Sequence, residues 1–238
     1  MNEYLLEYLT ILLWYIIPCF LAGLVVLFIR FVIKPKDYIY RKVLHLCAIF
    51  TIFSFILPAH TWWISILDVL TVIILIDVTL LIIQRKPLYK VLFVEKSHNE
   101  VFVMINAYYL IMMVLIAFFF GFSGELHKYL AITAVLSWGI GDAAAAIVGI
   151  SIGKHNLKLP LVDEHKTIEG SAAMFVGSYI ACLITLLIFY NYPLWLIIIE
   201  PLVVALILTI TEAISKKGLD TISCPLVATL ILFLFSLI

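Results

Sequence analysis

Apolar residues run along this chain in long blocks, and each block is closed by charge, proline or glycine. The blocks fall at roughly 8–32, 43–58, 61–83, 101–122, 128–150, 168–190, 193–213 and 222–238. A helix crossing the bilayer core needs about 20 mostly apolar residues, so the pattern predicts about eight transmembrane helices. The runs at 43–58 and 222–238 are short, and if one of them is re-entrant the count falls to seven. The expected fold is an all-α integral membrane protein, a polytopic bundle forming a single domain over 1–238. No internal repeat and no long linker divides it. Glu3 and Glu7 stand where a signal peptide would be basic, and the first apolar run is too long for a signal core, so it reads as a retained span.

The polar segments between the blocks alternate in charge. Lys34, Lys36, Arg41 and Lys42 fill one loop, and Arg85, Lys86, Lys90 and Lys96 another. Lys154, Lys158 and Lys166 lie in a third, and Lys216 and Lys217 in a fourth. The intervening loops near 59–60, 123–127 and 191–192 contain no Lys or Arg, and only Lys128 lies near that side. The positive-inside rule then predicts basic loops in the cytoplasm and both termini outside. Trp62, Trp63, Tyr190, Tyr192 and Trp195 fall at the predicted outer ends, where interfacial aromatics gather. Short loops without a targeting extension point to a prokaryotic cell membrane.

Composition narrows the function classes. Of 238 residues, 65% are apolar and 13% charged, against about 45–50% and about 25% in soluble proteins. A water-soluble globule is excluded. With 15 Lys+Arg against 15 Asp+Glu there is no excess charge for a nucleic acid. Cys19, Cys47, Cys182 and Cys224 form no Cys-x-x-Cys pair and read as reduced apolar filler.

Ionisable groups at membrane depth are costly, so each needs a reason. Asp68 and Asp77 lie in the third run, nine residues apart and so on opposite helix faces. They are expected near helix ends or in polar contacts between helices. Glu200, beside Pro201, is expected to make a structural hydrogen bond. His60 and His127 fall on the outer side and look incidental. Glu95, Lys96, His98, Asn99 and Glu100 read as a solvated loop.

The predicted cytoplasmic side is richer. The fifth run contains Gly139-Ile140-Gly141-Asp142 followed by four alanines. The glycines loosen the helix and the alanines permit close packing, but packing does not explain Asp142. The next loop carries Gly149-Ile150-Ser151-Ile152-Gly153-Lys154-His155, and then Lys166-Thr167-Ile168-Glu169-Gly170-Ser171. It is not a P-loop: the glycine spacing is one short, His155 replaces Ser/Thr, and no strand precedes it. It still has the ingredients of anion binding. Glycine lets backbone approach, lysines supply charge, and Thr167 is a plausible N-cap at a helix N-terminus that attracts phosphate. Lys158 reads as an ordinary loop cation. Lys166 and Glu169, at the membrane boundary, do not.

Glu212 lies about one turn inside the seventh run, and Asp220 just before the eighth. Asp142, Glu169, Glu212 and Asp220 thus share one depth with several lysines. That is the composition of a magnesium–phosphate site. Asp142, Glu212 and Asp220 are the candidate metal ligands. Lys154, Lys166 and Thr167, with backbone at Gly141 and Gly153, are the candidate nucleotide and phosphate contacts. Arg41 and His45, four apart on one helix face, are candidates for the same role. Asp142, Glu169 and Lys166 are the candidate catalytic residues, with Asp142 or Glu169 as proton acceptor.

Taken together these segments resemble the membrane lipid-alcohol kinases that include dolichol kinase, phytol kinase and the CTP-dependent diacylglycerol kinase, a family related to the phosphatidate cytidylyltransferases. The matching pieces are Arg41-Lys42-x-x-His45-Leu46, Gly141-Asp142 with its alanines, Gly149-x-x-x-Gly153-Lys154, Lys166-Thr167-x-Glu169-Gly170-Ser171, and Glu212 followed by Gly218-x-Asp220 and Pro225-Leu226. They occur in order over most of 40–226. The family usually carries Asp-Asn where this chain has Asp220-Thr221, and the stretch from Leu161 to His165 also departs from it. The resemblance implies CTP as phosphate donor, Mg²⁺ as cofactor, and a membrane-embedded primary alcohol such as phytol, geranylgeraniol or dolichol as acceptor. A CDP-lipid synthase and a diacylglycerol kinase are alternatives using the same residues. A transporter lined by Asp68, Asp77 and Glu200 is the alternative outside enzymology.

Overall fold

The chain begins with helix α1, Glu3–Phe28, which widens into a π turn over Ile29–Ile33 and stops at Lys34, whose φ of 49° is left-handed. The structure, a computed structural model, describes residues 2–94, 97–157, 162, 166–215 and 219–238. Among these every regular element is a helix. After α1 come α2 (Asp37–Phe50), α3 (Ile52–Ile56), α4 (Trp62–Ile83), α5 (Pro87–Leu92) and α6 (His98–Ile116). Then follow α7 (Lys128–Ile152), α8 (Ile168–Phe189), α9 (Leu194–Ile214) and α10 (Asp220–Phe235).

Seven helical segments are long and apolar enough to cross a membrane, namely Glu3–Ile33, Asp37–Ile56, Trp62–Ile83, His98–Phe122, Glu125–Ile152, Ile168–Phe189 and Leu194–Ile214. The protein is a multi-pass, all-α membrane protein. Of the two short apolar runs, the one at 43–58 gains a full span because its helix starts earlier, at Asp37. The other forms the 16-residue helix α10. Of the basic loop residues, Lys96, Lys158, Lys216 and Lys217 lie outside the described residues, as do Glu95, Gly218 and most of the Leu161–His165 stretch.

The helices gather into two units, 1–125 and 126–238. In the first, Pro18 interrupts α1. Proline has no N–H for the carbonyl four residues back, and the Ser54 hydroxyl donates to that Trp14 carbonyl at 2.8 Å. The carbonyl left without its helical donor is thus used in a contact between α1 and α3. Glu7 is used similarly: its carboxylate accepts the N–H groups of His60 and Thr61, both at 2.7 Å, and the Thr61 hydroxyl at 2.9 Å, capping the start of α4. Asn106 on α6 donates to Asp77 on α4 at 3.0 Å, the interhelical contact expected of Asp77. Ser97 and Glu100 form a reciprocal capping box at the start of α6, so Glu100 is a cap rather than a loop residue.

The second unit is built on the contact between α7 and α8. A Cβ on Gly177 would stand 3.2 Å from the Gly141 Cα, and one on Gly170 would stand 3.1 Å from the Ala145 carbonyl. Small residues on both helices let the backbones meet, as in other membrane helix pairs. α9 packs on α8, and α10 packs on α7 and α9.

Two carboxylic acids depart from expectation. Asp68 on α4 and Glu200 on α9 are both fully buried, and neither side chain has a hydrogen-bond partner among the described residues. The structural hydrogen bond expected at Glu200 is not made.

Candidate functional site

The loop between α7 and α8 is tied at its base. Asn156 and Thr167 form an antiparallel bridge, the Leu157 N–H donates to the Lys166 carbonyl, and the Ile168 N–H to the His155 carbonyl, both at 2.9 Å. This stem fixes Lys166 and Thr167 at the mouth of the second unit. Thr167 is the N-cap of α8, its hydroxyl oxygen accepting the Gly170 N–H at 3.1 Å. It also fills the space beside the loop glycines. A Cβ on Gly153 would stand 2.3 Å from the Gly149 carbonyl oxygen and 2.8 Å from the Thr167 hydroxyl. A Cβ on Gly141 would stand 2.2 Å from the Ser178 hydroxyl. Both glycines, expected as sites of phosphate approach, therefore have packing reasons of their own.

The tied stem delivers Lys166 to the acidic end of the bundle. Its ammonium donates to the carboxylate of Glu212, in the last turn of α9. The Glu212 side chain is 3% exposed and that of Lys166 is 26% exposed. Asp142, on α7 and 8% exposed, and Asp220, in the first turn of α10, are close enough to act on the same ammonium. Burial disfavours the charge on Lys166, but the carboxylate of Glu212, helped by Asp220 and Asp142, outweighs it and raises the lysine above its ordinary value. Lys166 and Glu212, from different segments of the unit, are thus in direct contact, with Asp142 and Asp220 near enough for their charges to bear on the same ammonium.

Glu169 has another partner. Its carboxylate pairs with the His155 ring nitrogen at 2.7 Å and accepts the His155 N–H at 3.3 Å, clamping the loop stem to α8. Neither sequence position suggested the pairing, although the bridge places them side by side. Lys154 is exposed on the stem. Arg41 and His45 are half-buried on α2, in the first unit.

Among the described residues, no three His, Cys, Asp or Glu side chains stand together as a ready metal cage. Mg²⁺ asks for less than that: one or two carboxylates, with the remaining ligands from phosphate oxygens and water. Compared with protein-family models, with curated proteins and with solved structures, the chain matches none.

Proposed function

We propose that the protein is a membrane phosphotransferase that moves the γ-phosphoryl group of CTP onto the primary hydroxyl of a membrane-embedded prenol of the phytol, geranylgeraniol or dolichol type. The observation that carries this reading is the Lys166–Glu212 pair in the second unit, with the charges of Asp142 and Asp220 bearing on the same ammonium. Such a charged group is expensive to keep at a bilayer boundary without a use. The alternation of basic and uncharged loops along the sequence supports a cytoplasmic position for that group, where nucleotide is found.

Phosphoryl transfer runs through a loose transition state, so positioning and charge neutralisation matter more than a strong base. Lys166 is the group that meets phosphate oxygens, because it is partly exposed while Glu212 holds it from behind. Asp142 or Glu169 accepts the proton of the attacking hydroxyl; Glu169 is paired with His155. Asp142 and Asp220 are the carboxylates that would hold Mg²⁺. The ion would neutralise charge developing on the transferred group. Lys154 remains a candidate phosphate contact on the strength of the family resemblance.

The test offers purified protein Mg²⁺, CTP or ATP, and a panel of phytol, geranylgeraniol, dolichol, diacylglycerol and phosphatidate. CDP with a phosphorylated prenol supports the proposal. Pyrophosphate with a CDP-lipid would assign the same residues to a cytidylyltransferase. No product from any pair would remove the kinase reading. A transporter is the second reading, and the buried, unpartnered Asp68 and Glu200 are the observation that favours it.

A further inference from the structure

The first unit contains a half-open cavity of about 420 Å³. Its long walls are α1 and α2, its end is closed by α5, and Tyr109 of α6 contributes to the lining. The hollow has a cause in the sequence. Where the two helices face each other they carry small side chains, Cys19, Ala22 and Gly23 on α1 and Cys47 and Ala48 on α2. At Gly23 the absence of a side chain serves no packing, since a Cβ there would meet no atom within 4 Å. A glycine inside a helix costs about 1 kcal/mol relative to alanine, so an unpacked one calls for another reason. Here the reason is space.

The chemistry of the walls selects the occupant. All the lining is apolar except a small group of hydroxyls and thiols. Tyr15 and Tyr109 bond to each other through their hydroxyls at 3.0 Å, with Cys19 and Thr51 beside them. Water needs several free polar partners to settle in a cavity, and these groups already satisfy one another. A half-open apolar cavity of this size is accessible to an apolar ligand. It falls in the roughly 300–1,000 Å³ range of ligand pockets. α1 and α2 both belong to membrane-spanning segments, and Gly23 at the mouth is exposed, so the medium at the opening is hydrocarbon.

We infer that this cavity holds a hydrocarbon chain of a membrane lipid, seated between α1 and α2 with Gly23 as the opening that admits it. The site is independent of phosphoryl transfer and is read without nucleotide.

The experiment uses the full chain in nanodiscs and a palmityl alcohol carrying a terminal diazirine. After photolysis, adducts are expected on peptides covering 15–27, 44–51 and 88–93, and they should be displaced by excess unlabelled hexadecanol. Gly23→Leu fills the mouth and should reduce the adducts by about tenfold or more, the loss expected when a side chain takes the ligand's space. Because no atom lies near the Gly23 Cβ position, the thermal midpoint of Gly23→Leu should not fall. Adducts spread over all lipid-facing helices, without displacement, would overturn the inference. So would adducts unchanged in Gly23→Leu. A dimer whose subunits crosslink through Cys19 and separate in Gly23→Leu would overturn it too, by showing that a second copy's helix fills the space.

Discussion

Lys166, just before α8, gives its ammonium to Glu212, a carboxylate in the last turn of α9. The pair fastens the loop to the bundle and holds a positive charge beside Asp142 and Asp220. Structure and proposed chemistry therefore share a bond, and the two can be separated experimentally.

Breaking one side of a buried pair leaves the other uncompensated, which costs about 3–5 kcal/mol, while replacing both by apolar groups is often neutral. Glu212→Ala should destabilise the protein by about 3 kcal/mol, at the low end because Lys166 retains some exposure. Lys166→Met with Glu212→Leu should recover most of that stability and none of the turnover. Thermal midpoints and transfer rates on the three proteins check this. Recovery of turnover in the double variant would make the pair merely structural.

The pH dependence has a definite sign. Lys166 is raised in the folded protein above its unfolded value, which is about 10.4 for a free lysine. Its contribution is therefore complete below that value and is lost as pH rises through the folded pKa. The difference in thermal midpoint between the wild type and Lys166→Met should be constant from about pH 6 to about pH 9 and shrink only above about pH 10.4. A difference that shrinks near neutrality would contradict the assignment of the raised value.

Much of the architecture was legible because apolar blocks have only one use at this length. The start of α2 was not. Arg41 and His45 fall on one helix face in the sequence, but the helix begins earlier, at Asp37, and so reaches a full span. That Asp142, Glu212 and Asp220 lie within or beside apolar runs was also legible. Their bearing on Lys166 was not, because Lys166 and Glu212 are 46 residues apart and only packing brings them together. Ser97-x-x-Glu100 is a capping-box spacing that could have been read from sequence. Gly153 shows the opposite limit: a glycine beside a lysine suggests phosphate, while the space it leaves is taken by Thr167 and the Gly149 carbonyl.

That packing role predicts a contrast between glycines. Gly153→Ala forces its Cβ against the Gly149 carbonyl at 2.3 Å and should loosen the loop stem. Gly23→Ala meets nothing and should be neutral or stabilising, by up to about 1 kcal/mol. Thr167→Ala loses the N-cap and should cost about 1 kcal/mol. Limited proteolysis of the 156–167 loop should accelerate in Gly153→Ala and Thr167→Ala only. Equal resistance in all three would refute the packing account.

The unpartnered carboxyls allow a test between the two readings. Removing a buried polar group that has no partner is often neutral or stabilising. Asp68→Leu and Glu200→Leu should therefore keep or raise the thermal midpoint and leave phosphoryl transfer within about twofold, surface and remote substitutions having small effects. If either variant abolished function while Asp142 variants stayed active, the transporter reading would replace the enzyme.

The central claim is tested most directly by following γ-phosphate-labelled CTP into lipid with the wild type and Asp142→Asn side by side. Asparagine keeps the size of the side chain and removes its charge. The account predicts labelled prenyl phosphate from the wild type and a loss on the order of 10²-fold or more in the variant, the usual effect of deleting a key electrostatic group. Equal transfer by the two proteins, or none by the wild type with any nucleotide and alcohol, would contradict it.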